Sequence, residues 1–327
     1  MVDKDLGFSL WLDFVERDYL KESFPALIEK GMINGATSNP AIFASAITTS
    51  SAYREQLASL EGKSAKEKYE ALAIVDIRTA AQALRGCYDT GNDGYISIEV
   101  DPFLSNDTAG TIAEGERLFA AIGEPNVMVK VPATEAGYEA MRVLMGKGIS
   151  VNATLVFSPA QAQRCLEAMQ EGIALAKERV NGVISVFVSR FDRLLDEKLT
   201  TCGIAPSRTG ILNAAKIYTL VEKSAAANIR TLFASTGVKG EVLSTDYYIR
   251  GLLAKHSINT APLVTLESYV LSPSKTAKLP ISEEEIEAYF FKLKQQGIEI
   301  DEVSQSLLED GLTAFEQAFK EMLKRIE

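Results

Sequence analysis

A chain of 327 residues, 46% hydrophobic and 24% charged, has the make-up of a globular enzyme and buries roughly three quarters of its unfolded surface, so it needs no covalent staples. A formal charge of −10 argues against a nucleic-acid partner, whose grip depends on lysine and arginine, yet leaves room for a small anionic substrate at a local basic site. Three widely spaced cysteines (Cys87, Cys165 and Cys202) without a C-x-x-C pair, and His256 as the only histidine, argue against a disulfide framework, a thiolate zinc centre or a metal held by several imidazoles. The same cysteine usage fits a reducing, cytoplasmic compartment.

In chain order, Met1-Val2-Asp3-Lys4-Asp5 carries no apolar leader, and no apolar run approaches the roughly 20 residues of a bilayer span, so no membrane partner is expected. Short apolar runs then recur, each followed by a helical pattern. They fall at residues 8–13, 33–38, 95–100, 127–131, 149–157, 183–188 and 229–235, with a weaker eighth at 257–261. Residues 41–91 are mostly helical and read as an insertion between the second and third strands. Ser158-Pro159 opens a helix whose Ala162, Leu166, Met169, Ile173 and Ala176 share a face. Residues 211–227 form another helix, and Ser282 with Glu285 make a capping-box pattern. Val303, Leu307, Gly311, Phe315, Phe319, Met322 and Ile326 form the apolar stripe of a long closing helix. Alternating strand and helix patterns predict an α/β fold, a (β/α)8 TIM barrel in one domain over 1–327. An open doubly wound sheet is the alternative, but no G-x-G-x-x-G turn follows the first strand.

Parallel barrel strands are buried on both faces and should be nearly all apolar. Here most end on polar groups: Asp13, Asn39, Glu99 and Asp101, Lys130, Asn152 and Thr154, Ser185 and Arg190, Ser235 and Thr236. Barrel enzymes carry their chemistry at those ends. Lys130 lies in Val127-Met128-Val129-Lys130-Val131-Pro132 and admits two readings. Desolvation favours the neutral amine, which suits a nucleophile for carbonyl carbon; a structural ion pair with Glu99 or Asp101 is the other. Glu99 suits proton transfer and that same ion pair. Asp13 is either a second acid/base or the cap of the next helix. Asn39, in Thr37-Ser38-Asn39-Pro40, is a ligand or a turn and cap. Asn152 and Thr154 share one strand face, and amides and hydroxyls grip sugar hydroxyls. Arg190, Ser235 and Lys239 have the character of phosphate ligands, although Lys239 alone reads equally as solvated. Phe187 reads as core beside Ser185, His256 as surface, and Gly91-Asn92-Asp93-Gly94 as a turn rather than a calcium loop.

These segments resemble the transaldolase family. Thr37 to Pro40, Val129-Lys130-Val131-Pro132-Ala133-Thr134, the stretch from Ser150 to Ser158, and Ser185-Val186-Phe187-Val188-Ser189-Arg190 carry the resemblance, which runs over essentially the whole chain. The resemblance implies a Schiff base on Lys130, acid/base work by Asp13 at the C4 hydroxyl, and proton shuttling by Glu99 with Thr154 and a water. Asn39 and Asn152 would hold hydroxyls, Ser185 and Phe187 line the site, and Arg190 and Ser235 bind phosphate. It implies transfer of a dihydroxyacetone unit from sedoheptulose 7-phosphate to glyceraldehyde 3-phosphate, giving erythrose 4-phosphate and fructose 6-phosphate. It also implies sugar phosphates as partners and neither metal nor organic cofactor. Two departures stand out: the stretch after Ser235 reads Thr236-Gly237-Val238-Lys239 where well-known members place a second arginine, and Val186 follows Ser185 where some relatives have proline. An aldolase releasing free dihydroxyacetone and a non-catalytic sugar-phosphate sensor are the rival readings. Monomer and homodimer both remain open.

Overall fold

The computed structural model describes residues 5–240, 242–274 and 276–327. Eight parallel strands form a closed barrel in sequence order: β1 (Ser9–Asp13), β2 (Gly35–Thr37), β3 (Tyr95–Glu99), β4 (Val127–Pro132), β5 (Val151–Val156), β6 (Gly182–Phe187), β7 (Ile229–Ala234) and β8 (Ile258–Ala261). Closure is direct, with Leu12 of β1 in register with Ala261 of β8. All eight apolar runs become strands whose bounds differ from the runs by no more than two residues at either end; most are trimmed, while β4 gains Pro132 and β6 starts one residue earlier at Gly182.

The helices, in order, are α1 (Arg17–Glu29), α2 (Pro40–Thr49), α3 (Arg54–Ser59), α4 (Ala65–Asp89), α5 (Thr108–Ile122), α6 (Glu135–Gly146) and α7 (Pro159–Leu175). There follow α8 (Ser189–Thr201), α9 (Thr209–Lys223), α10 (Tyr247–Gly251), α11 (Leu263–Leu271), α12 (Glu283–Gln295) and α13 (Ile300–Ile326). Among the described residues, none is long and apolar enough to cross a membrane.

The region 41–91 divides in two. The 25-residue α4 packs on β3, α1 and α5 and is the barrel's own crossover from β2 to β3; only α2, α3 and the turn between them are additional. Periodicity showed the helices but could not say which one pairs with the sheet. The capping pattern at Ser282 is also half realised. Ser282 Oγ accepts from Glu285 N, but the Glu285 carboxylate turns outward to Arg208 at 2.6 Å. Boxes form fully at Ser64 and Glu67, which open α4, and at Ser158 and Gln161, where α7 begins on Pro159.

Residues i and i+2 of a strand share a face. Trp11, Met128, Val183, Leu232 and Ile258 fill the lower lumen as one apolar cluster. Two residues further on, the same faces present Asp13, Lys130, Ser185, Ala234 and Thr260. Strand alternation thus stacks a polar tier on an apolar plug. Gly35 makes the plug possible, since a Cβ there would come within 2.4 Å of the Trp11 indole nitrogen. Two further apolar shells join the barrel to its helices. The stripe on α13 is buried from Leu307 to Ile326, with Ser304 in place of Val303 at its start. This helix packs on α2, α4, α8 and β5, which carries it across the carboxyl ends of the strands.

Candidate active site

A cavity of about 230 Å³ opens at those carboxyl ends. Asp13, Thr37, Lys130 and Thr154 line it from β1, β2, β4 and β5, Ser185 and Phe187 from β6, and Ala234 and Thr260 from β7 and β8. Asn39 and Ala41 at the start of α2, Arg190 on α8, Ser235 and Phe315 of α13 complete the wall. A larger hollow of about 810 Å³ lies at the opposite end of the barrel, around Trp11, Asp93, Arg230 and His256. Several of its polar groups hold the base together: Arg230 pairs with Asp93 at 2.5 Å, and His256 meets Glu222 at 3.0 Å. Asp93 also accepts from the Trp11 indole, so the Gly91-to-Gly94 turn ties strands together at the base.

Lys130 is 5% exposed and projects into the smaller cavity. Its Nζ donates to Ser38 O at 3.1 Å, stands 3.3 Å from Glu99 Oε2, and lies 5.7 Å from the Phe315 ring centre. Asp101 is not a partner. It pairs with Lys66 at 2.5 Å and caps the short turn after β3 by accepting from Phe103 N. Burial raises the Glu99 carboxyl above its ordinary range; the charge of Lys130 works against this and that of Asp13 adds to it. Burial likewise raises Asp13, opposed by the charge of Lys130 and by the hydroxyl of Thr37. Two carboxyls held up in this way beside one amine are suited to giving and taking protons.

Asp13 is not a helix cap; Glu16 caps α1 by accepting from Tyr19 N at 2.8 Å. Asp13 instead accepts from Thr37 Oγ1 at 2.7 Å. Because Thr37 spends its one proton there, the Thr260 hydroxyl 2.7 Å away must be the donor to Thr37. The chain Thr260–Thr37–Asp13 fixes the carboxylate. Asn39 does cap α2, its Oδ1 accepting from Ile42 N at 3.0 Å, and it also lines the cavity.

Asn152 is fully buried behind the wall. It accepts from Ser185 Oγ at 2.6 Å and donates to Ser97 Oγ at 2.9 Å, which orients the Ser185 hydroxyl on the cavity surface. Thr154 reaches the cavity through an irregularity: the β5–β6 register shifts between Ala153 and Val156, and Leu155 has φ of 56°. Such a bulge re-aims a side chain at some strain. Gln161 holds it, donating to Leu155 O and accepting from Phe157 N. Two buried oxygens, Glu99 Oε2 beside the amine and Thr154 Oγ1 of a cavity-lining residue, lack a hydrogen-bond partner among the described residues.

Arg190 lines the far side. Its guanidinium lies 5.1 Å from the Phe187 ring centre and 6.0 Å from that of Phe157. Ser235, with φ of 55°, exchanges a 3.1 Å hydrogen bond with Ser189 and so joins the end of β7 to the start of α8. Lys239 is exposed and absent from the wall, and Thr236 is buried against Asn259 and Thr260 O. Sequence alone does not single out the wall residues Thr37, Thr260 and Phe315, or Ser97 behind them. Thr260 ends the weakest strand pattern, and Phe315 looks like any other member of its apolar stripe.

Residues 10–326 match the sequence model of the family described as Transaldolase/Fructose-6-phosphate aldolase. A protein named transaldolase from Helicobacter pylori (strain ATCC 700392 / 26695) is 48% identical over 318 residues, 97% of this chain and 98% of that protein. Another of that name, from Campylobacter jejuni subsp. jejuni serotype O:23/36 (strain 81-176), is 46% identical over 331 residues, 98% and 99% of the two chains.

Proposed function

The chain belongs to the transaldolase/fructose-6-phosphate aldolase family and carries transaldolase activity, and we propose that it transfers dihydroxyacetone between sugar phosphates through a Schiff base on Lys130. The observation that carries the assignment is a buried lysine with a carboxylate on one side, a second carboxylate sharing its field, and a cavity in front. In this reading Glu99 takes the proton that the Lys130 ammonium must lose. The free amine adds to the ketose carbonyl, and Glu99, with Thr154 Oγ1 at its side, returns a proton so that the carbinolamine loses water as the iminium forms.

Asp13 then accepts the proton of the C4 hydroxyl. The C3–C4 bond breaks, its electron pair moves into the iminium to give an enamine, and the aldose leaves as its aldehyde. The acceptor aldehyde enters, the enamine attacks it, and Asp13 gives the proton back to the new hydroxyl. Hydrolysis of the iminium restores Lys130. Ser185, held by Asn152, and the Nδ2 of Asn39 supply hydrogen bonds to substrate hydroxyls, with Phe187 packing against the substrate. Arg190 and Ser235 take the phosphate, and we assign sedoheptulose 7-phosphate and fructose 6-phosphate as donors. Phe315 closes the cavity over the enamine and limits water, which separates transfer from simple release. The three unbridged cysteines suit a reducing cytoplasm.

Borohydride reduction in the presence of fructose 6-phosphate tests the assignment. A stable adduct on a peptide containing Lys130, absent from Lys130→Met, is expected. An intact mass without adduct at saturating substrate refutes it. Measuring transfer to erythrose 4-phosphate against free dihydroxyacetone distinguishes the transferase from an aldolase.

A further inference from the structure

Arg190 and Arg193 occupy the first turns of α8 three residues apart, which makes them neighbours on the helix surface. Arg190 lines the cavity beside Ser235, and Arg193, one turn further along the same helix, is exposed and outside the cavity lining. Among the described residues neither guanidinium has an ion pair or a hydrogen bond, although neighbouring acids exist. Asp192, between them in sequence, turns the other way: its oxygens accept from Gly210 N at 3.0 Å and from the Tyr248 hydroxyl at 2.9 Å. Asp310 of α13 bears on Arg190 only through space.

Elsewhere the chain follows a different habit. Arg17 and Arg117 each have a carboxylate at 2.8 Å. Two unpaired arginines side by side are costly, because each loses hydration and the charge of Arg193 bears against that of Arg190. A dianion placed between them relieves both effects at once. Guanidinium forks match phosphate oxygens in geometry as well as charge. The link between Ser189 and Ser235 holds a hydroxyl on the cavity wall that Arg190 also lines.

We propose that Arg193 is the second cation of the substrate-phosphate site, gripping the phosphate from the rim while Arg190 and Ser235 hold it from within. It thereby supplies from the sixth strand-helix unit the charge that the loop after β7 would otherwise carry on Lys239. The proposal rests on the reading of the cavity as a sugar-phosphate site. Arg193 acts on specificity and touches no reacting atom.

The test compares Arg193→Ala, Arg193→Lys and Lys239→Ala, using erythrose 4-phosphate and unphosphorylated erythrose as acceptors. Arg193→Ala should raise KM for erythrose 4-phosphate about tenfold or more, with kcat within about twofold, and leave unphosphorylated erythrose unaffected. Competitive inhibition by inorganic phosphate should weaken in parallel, and Arg193→Lys should restore part of both. An equal effect on the two acceptors, no effect on either, or a larger KM increase in Lys239→Ala than in Arg193→Ala overturns the proposal. Borohydride trapping with dihydroxyacetone keeps the two ideas apart. Without an adduct in the wild type the catalytic reading falls, whereas an adduct with unchanged phosphate discrimination in Arg193→Ala removes only the role of Arg193.

Discussion

Lys130 and Glu99 are register partners across β4 and β3, and their charged ends meet 3.3 Å apart above the apolar plug of the barrel. The pairing belongs to the sheet itself, so neither side chain depends on a mobile loop for its position. Under the proposed mechanism, the ion pair and the catalytic pair are one contact, before and after the proton moves.

Glu99→Gln keeps the shape and removes the base. We expect kcat to fall by about a hundredfold or more, in the range that proton transfer contributes, with a Schiff base still trappable but forming slowly. Single-turnover trapping against time measures this directly. Adduct formation at the wild-type rate would show that Glu99 serves only to pair with Lys130.

Asp13→Asn should act at a later step. The Schiff base forms, but the C3–C4 bond cannot break without a base for the C4 hydroxyl. Borohydride should therefore trap the whole ketose on Lys130, and the adduct mass should exceed that of the dihydroxyacetone adduct by the cleaved aldose phosphate. If the variant yields the three-carbon adduct as readily as wild type, Asp13 is not the base for cleavage. Thr37→Val, which takes away the donor held at 2.7 Å, should weaken cleavage less than Asp13→Asn does.

Gly311 lets α13 approach the barrel. A Cβ there would lie 2.9 Å from Leu155 Cδ2 and 3.1 Å from Arg190 Nη1. Both neighbours are side-chain ends that can yield a little, so Gly311→Ala should be mild. Gly311→Val should cost about 1–3 kcal/mol as overpacking and displace Arg190. The readouts are the urea midpoint, which should fall, and KM for a sugar phosphate, which should rise; a change in neither means the helix simply shifts.

Asp192 gives a pH dependence of stability. Burial pushes its carboxyl up to about 6 from an ordinary 3.8. A raised value in the folded state means that folding favours the proton. The stabilising contribution is full below 3.8 and is lost as pH rises through about 6. Asparagine mimics the protonated form, accepting from Gly210 N and donating to the Tyr248 oxygen. Asp192→Asn should match or exceed wild-type stability at pH 7, by at most about 3 kcal/mol, and lose the advantage at pH 4. Urea unfolding of both proteins at the two pH values decides it; a variant less stable at pH 7 than at pH 4, relative to wild type, contradicts the sign.

The fold was legible because burial on both faces forces β4 to read Val-Met-Val-Lys-Val-Pro, where a single charge is conspicuous. Asp13, Lys130, Thr154 and Ser185 stood out by that same contrast. Phe315 did not, since an apolar residue on an apolar stripe looks alike whether it meets core or cavity. Thr260 escaped because its strand has only four residues to carry a pattern. Local spacing also could not tell that Asp101 turns away to Lys66 while Glu99, two residues earlier, turns inward. Side-chain alternation predicts a shared face, but the strand ends between them and the rule lapses there.

Phe315 sits on the last helix described, after all eight strands have been made. A chain emerging from the ribosome therefore has Lys130, Glu99 and Asp13 in hand well before it has the aromatic ring that covers them. A barrel lacking α13 would lose the ring that stands 5.7 Å from the Lys130 amine, and with it one wall of the cavity. The wall made last is therefore one that faces the amine.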